Sequence, residues 1–216
     1  MNTVQFIQEN KIITICRKVY GQDLLNLATA LCDGGVKLIE VTFDQADTDC
    51  IAKTSDAIRF LCEHFGDRMM FGAGTVLSRE QVKAAADAGA KYIISPNTDP
   101  DVIRYTKELG LVSIPGAMTP SEIMTAHNLG ADIVKLFPAG SLGLRYIKDI
   151  LAPINHVKLC ATGGVTEDNW GDYLALGFTS AGISSRLCDK KCIAEGNFAE
   201  ITRRARAFSE VANNRA

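Results

Sequence analysis

Short apolar runs rich in β-branched residues recur along the chain, at 12–16 (IITIC), 37–43 (KLIEVTF), 69–73 (MMFGA), 91–95 (KYIIS), 111–115 (LVSIP), 132–137 (DIVKLF), 157–161 (VKLCA) and 179–183 (TSAGI). These predict eight strands. Between them the apolar positions change period. Leu24, Leu27, Ala28, Leu31 and Cys32 follow the i, i+3, i+4, i+7, i+8 spacing of a helix with one buried face. Ser78 with Gln81, and Thr119 with Glu122, have the spacing of capping boxes, and Pro120 takes the first helical position. Asp99-Pro100 opens a further helix in the same way. Gly89, Gly110, Gly130 and Gly177 each stand between a helical run and a strand, as glycines that end helices do. Segment 1–10 predicts a short leading helix.

Strands alternating with helices imply βαβ units and a parallel sheet. Eight such units without a linker-like segment predict a single domain over 1–216, an α/β fold of the (β/α)8 TIM-barrel type. The alternative is an open doubly wound sheet. It is the weaker expectation, because no G-x-G-x-x-G follows an early strand.

Composition narrows the function classes. The chain has 216 residues, 47% of them hydrophobic and 22% charged, enough for a sizeable core. A net charge of −2 without a Lys/Arg run argues against nucleic acid or an anionic membrane surface as partner. No apolar stretch is long enough to span a bilayer. Polar residues interrupt the N-terminal apolar run, so it does not resemble a secretory signal. The seven cysteines are scattered and form no C-x-x-C, which predicts reduced thiols in a cytoplasmic protein. His64, His127 and His156 lack ligand spacing, so no metal site is expected.

In a barrel of this kind chemistry belongs at the C-terminal ends of the strands. There, Lys135 interrupts the apolar run DIVKLFP. Ile133, Lys135 and Phe137 share one strand face, and Val134 and Leu136 share the other. A lysine fits poorly beneath covering helices, so the inward face is expected. Burial disfavours an ammonium, and a neutral amine can attack a ketone to form a Schiff base. A core ion pair explains the residue equally well. Glu40 holds the same kind of position in LIEVTF, sharing a face with Leu38 and Thr42. It is placed either to move protons for such an amine or to be its salt-bridge partner.

Other strand ends carry polar and glycine-rich motifs. Thr162-Gly163-Gly164 follows the seventh strand, and Gly182 to Ser185 (GISS) follows the eighth. That is where barrels often bind phosphate, although tight turns alone also require glycine. GAGTV, Gly72 to Val76, leaves room for a ligand beside the Thr75 hydroxyl, or simply ends a strand. Arg17 ends the first strand, placed either to fork a carboxylate or to lie on the surface.

The motifs IEVTF, GAGTV, SPN, PGAMTPSE, VKLFPA and ATGGV, in this order and spacing, resemble those of the 2-keto-3-deoxy-6-phosphogluconate and 4-hydroxy-2-oxoglutarate aldolases. The resemblance runs from about Lys11 to about Ala207. It implies a class I aldolase, without metal or cofactor, acting on a small-molecule keto acid. It releases pyruvate from a 2-keto-3-deoxy sugar acid or from 4-hydroxy-2-oxoglutarate. By the same resemblance Lys135 forms the Schiff base and Glu40 is the general acid/base. Thr75, Pro96 and Phe137 line the pyruvate pocket, Arg17 holds the carboxylate, and Thr162, Gly163, Gly164 and Ser185 bind the far end. A homotrimer is implied. Three positions depart from the pattern. Asp44 stands where many members have arginine, Ser184 where the phosphate loop usually has glycine, and Arg186 follows that loop. These bear on substrate identity more than on reaction type. Two rivals share the barrel: a phosphosugar isomerase or epimerase using Lys135 as a clamp, and a non-catalytic barrel binding an anionic sugar.

Overall fold

The computed structural model describes residues 2–214. Every predicted strand forms: β1 Ile12–Cys16, β2 Leu38–Thr42, β3 Met70–Gly74, β4 Tyr92–Ile94, β5 Val112–Ile114, β6 Gly116–Ala117, β7 Val134–Leu136, β8 Leu159–Thr162 and β9 Ser180–Ile183. One boundary differs from expectation. The fifth run stops pairing before Pro115, which has no N–H to give a ladder; β5 pairs with β4, and β6, a short strand beyond the predicted run, pairs with β7. All pairings are parallel, in the order β5-β4-β3-β2-β1-β9-β8-β7-β6. The two ends of that order are joined through Pro115, whose carbonyl accepts from the Lys135 N–H at 2.8 Å. The sheet is therefore a barrel of eight strand positions, a (β/α)8 fold, and the open sheet is excluded.

The helices are α1 Thr3–Asn10, α2 Gly21–Asp33, α3 Cys50–Phe65, α4 Arg79–Asp87, α5 Pro100–Glu108, α6 Pro120–Asn128, α7 Ala139–Leu151, α8 Trp170–Ala175, α9 Lys190–Ala194 and α10 Phe198–Asn213. None among the described residues is long and apolar enough to cross a membrane. Their caps follow the sequence closely. Thr119 and Glu122 close a full capping box, and the Asp99 side chain accepts from the N–H groups of Asp101 and Val102. The Ser78 box closes only by half. Ser78 accepts from the Gln81 N–H, but the Gln81 carboxamide turns back one residue further, accepting from the Leu77 N–H at 2.7 Å.

Two apolar clusters follow from the alternation of side chains along each strand. The outer one packs Ile39, Val41 and Phe43 of the β2 region against helix residues such as Leu24, Leu31 and Ile58. The inner one fills the barrel with Ile13, Leu38, Tyr92, Ile114, Ile133 and Cys160, and Ile7 of α1 packs into it. Leading helix and barrel core thus belong together. Leu38 lies inside the barrel and Ile39 outside, so Glu40 points inward. The same alternation about Ile133 and Val134 turns Lys135 inward.

Candidate active site

Glu40 and Lys135 enter the barrel from opposite walls, because β2 and β7 lie four strand positions apart in either direction round the ring. Their exposures are 2% and 6%. They sense each other's charge, yet Glu40 Oε2 is buried without a hydrogen-bond partner. The Lys135 Nζ lies 4.9 Å from the centroid of the Phe137 ring. The pair is therefore not a closed core salt bridge. Burial raises the Glu40 pKa above the usual carboxylate value, and the positive charges of Lys135 and Arg17 only partly oppose it. A carboxyl in this state keeps its proton above the ordinary carboxylate range, and it can give that proton up and take it back.

The glycines of GAGTV make room for side chains of the barrel interior. A Cβ on Gly74 would stand 2.8 Å from Glu40 Cδ, and one on Gly72 would stand 2.3 Å from the Tyr92 ring. Thr75 follows at φ +57°, a left-handed conformation that a β-branched residue rarely adopts. Its carbonyl accepts from Gln45 Nε2 at 2.7 Å, and Gln81 Nε2 donates to Gln45 Oε1 at 2.9 Å. Gln81 also receives the Leu77 N–H. Two glutamines thus brace the strained turn from both sides, one from the loop after β2 and one from α4. Sequence reasoning missed Gln45 and gave Gln81 only a capping role. Pro96 sits against the next strand end, with its carbonyl 2.3 Å from where a Cβ on Gly116 would lie.

Above the barrel a cavity of about 220 Å³ gathers most of the remaining candidates. Lys135 and Phe137 line it with Arg17, which is solvent-exposed on its outer side. Thr162, Gly163, Gly164, Ser184 and Ser185 form the other wall. Glu40, Thr75 and Pro96 are not part of this lining. Gly163 and Gly164 have φ +87° and +78°, and the Gly163 carbonyl accepts from the Gly140 N–H at 2.7 Å. A Cβ on Gly164 would come within 3.0 Å of Gly140 Cα. Close packing onto the start of α7 thus demands these glycines whatever the cavity binds.

The three departures also have places. Asp44 pairs with Lys18 at 2.6 Å, joining the loops after β2 and β1. Ser184 and Arg186 both line the cavity, and Arg186 donates to Glu167 through Nε at 2.9 Å and Nη2 at 2.8 Å. Among the described residues no three His, Cys, Asp or Glu side chains come together as a metal site. The seven cysteines are free thiols. Chemically, the arrangement offers a buried amine, a buried carboxyl that is not locked to it, and a polar pocket opening above the amine. Such a set can add an amine to a carbonyl and move the protons that the addition requires.

Comparison with known proteins is consistent across sequence and fold. The family model "Aldolase: KDPG and KHG aldolase" matches residues 4–204. The chain is 32% identical over 209 residues to the 2-dehydro-3-deoxy-phosphogluconate aldolase of Haemophilus influenzae, spanning 96% of this chain and 95% of that protein. It is 34% identical over 185 residues to the KHG/KDPG aldolase of Escherichia coli, spanning 85% and 84%. Among solved structures, the KDPG aldolase from Legionella pneumophila, with pyruvate captured at low pH as a covalent carbinolamine intermediate, superposes with a TM-score of 0.85. It is 28% identical and covers 96% of this chain and 98% of that one.

Proposed function

The chain belongs to the KDPG and KHG aldolase family and is a carbon–carbon lyase, and from that premise we propose that it cleaves a 2-keto-3-deoxy sugar acid, or 4-hydroxy-2-oxoglutarate, through a Schiff base on Lys135. The products are pyruvate and an aldehyde: glyceraldehyde 3-phosphate from the phosphorylated sugar acid, glyoxylate from the dicarboxylate. The whole chain, 1–216, acts as one catalytic domain in the cytoplasm, as a homotrimer, without metal or cofactor.

The Lys135 amine adds to the C2 ketone, and the resulting carbinolamine loses water to give a protonated imine. That imine is the electron sink. As the C4 hydroxyl loses its proton, the C3–C4 bond breaks and its electrons form a neutral enamine instead of a buried enolate. Protonation at C3 and hydrolysis then free pyruvate and the amine. Glu40, raised in pKa by burial, takes up and returns the protons of these steps. Arg17 and the Thr75 turn orient the carboxylate end, and Pro96 and Phe137 flank the methyl group. Thr162, Gly163, Gly164, Ser184 and Ser185 receive the far end of the substrate. Orientation of this kind supplies several kcal/mol of a barrier.

One observation carries the reading. The buried amine and the buried carboxyl face each other across the barrel without closing an ion pair, and Glu40 Oε2 has no partner. Borohydride reduction in the presence of pyruvate, followed by intact mass measurement, tests it. The protein should gain one reduced pyruvate, peptide mapping should place it on Lys135, and Lys135→Ala should neither gain mass nor turn over. An unchanged mass in the wild-type protein rules the proposal out.

A further inference from the structure

Resting on the aldolase reading above, we infer that Arg186, held in place by Glu167, is a specificity-determining residue that selects substrates with an anionic far end. The sequence left the charge of that end open. Arg186 lies in the loop after β9 and lines the same cavity as Gly163, Gly164 and Ser185. The other cations lining it, Lys135 and Arg17, serve the keto-acid end in that reading, which leaves Arg186 for the far end.

The pairing with Glu167 orients this guanidinium without using it up. The fork through Nε and Nη2, at 2.9 and 2.8 Å, engages two of the five N–H groups of an arginine and leaves about three. Glu167 belongs to the loop after β8 and does not line the cavity. Its side chain is 15% exposed against 46% for Arg186. The ion pair therefore presents its positive partner to the cavity and keeps its negative partner behind. The backbone at this point is held as well, because Arg204 Nη1 donates to the Arg186 carbonyl at 3.2 Å and to Asp189 at 2.9 Å. A side chain fixed at both its head and its root is pre-organised to receive a planar or tetrahedral anion. Phosphate and carboxylate share this chemistry.

Condensation of pyruvate with three aldehydes tests the inference: glyceraldehyde 3-phosphate, glyoxylate and neutral glyceraldehyde. The wild-type enzyme should prefer one or both anionic aldehydes. Arg186→Ala should lower kcat/KM for the preferred one by roughly 10- to 100-fold, the range of a hydrogen bond to a charged group. It should leave glyceraldehyde within about twofold, an uncharged tail making no such bond. Arg186→Lys, which keeps the charge and loses the fork, should recover part of the preference. Glu167→Gln should weaken it by less than Arg186→Ala does. Whichever aldehyde loses more identifies the anion as phosphate or carboxylate. The ratio between aldehydes is read within each variant, so a change in folded fraction cancels. Equal losses on all three aldehydes would reduce the pair to a structural strap and overturn the inference, as would a wild-type preference for glyceraldehyde. Exchange of pyruvate methyl protons is the separate control. It should persist in Arg186→Ala, and its absence from the wild-type protein would overturn the aldolase reading itself, and this inference with it.

Discussion

A methyl group added to Gly74 probes how closely the barrel holds Glu40. In Gly74→Ala the new carbon would lie 2.8 Å from both Cδ and Oε1 of Glu40, and 3.0 Å from Thr42 Cγ2. Non-bonded contacts relax near 3.5 Å, so the carboxyl must retreat by roughly 0.7 Å. It is the far end of a flexible side chain, which lets it move while the strand stays. Overpacking of this size destabilises by about 1–3 kcal/mol. In a domain of this length that lowers Tm by roughly 2–12 °C. Catalysis should suffer more, since a group misplaced by about 1 Å can lose on the order of 10²-fold. Thermal melts, together with NMR measurement of pyruvate methyl-proton exchange, separate the two effects. The expected variant is folded, still gains the reduced adduct on long incubation, and exchanges protons about 10²-fold more slowly. Exchange at the wild-type rate would refute the role given to the Glu40 position.

Two further expectations follow from the same site. Burial keeps Glu40 protonated above the ordinary carboxylate range, so the folded protein holds a proton that the unfolded chain has already released, and Glu40 weakens the fold progressively as pH rises through that window. Glu40→Gln removes this titration. Its stability relative to wild type should therefore improve as pH rises through the window, and the acidic limb of the exchange profile should vanish. Denaturant titrations and rate profiles at several pH values check both, and a pH-independent stability difference would contradict the assignment. Gln81→Ala breaks the brace that reaches Thr75 through Gln45. It should cost about 1–2 kcal/mol of stability and raise KM for pyruvate severalfold with a smaller change in kcat; an unaltered KM would show that the turn holds itself.

Much of this was legible in the chain because it depends on neighbours in sequence. Period-two alternation placed Lys135 with Ile133, and Glu40 with Leu38, on inward faces, and both lie there. Local capping chemistry located the starts of α5 and α6, and the glycines marked helix ends through their positive φ. The motif-based resemblance pointed to the same family as the comparisons. Other features depend on distances between residues far apart in the chain, which no local pattern records. Pro115 separates two strands because its two flanks find different partners. The glycines of GAGTV are small for the sake of Glu40 and Tyr92. Gln45 reaches Thr75, and Glu167 reaches Arg186, only because barrel closure sets neighbouring loops side by side. Closure likewise holds the amine and the carboxyl on opposite walls, near enough to feel each other and not joined. Alternation dictates which way a side chain points, and the packed barrel dictates what it meets there.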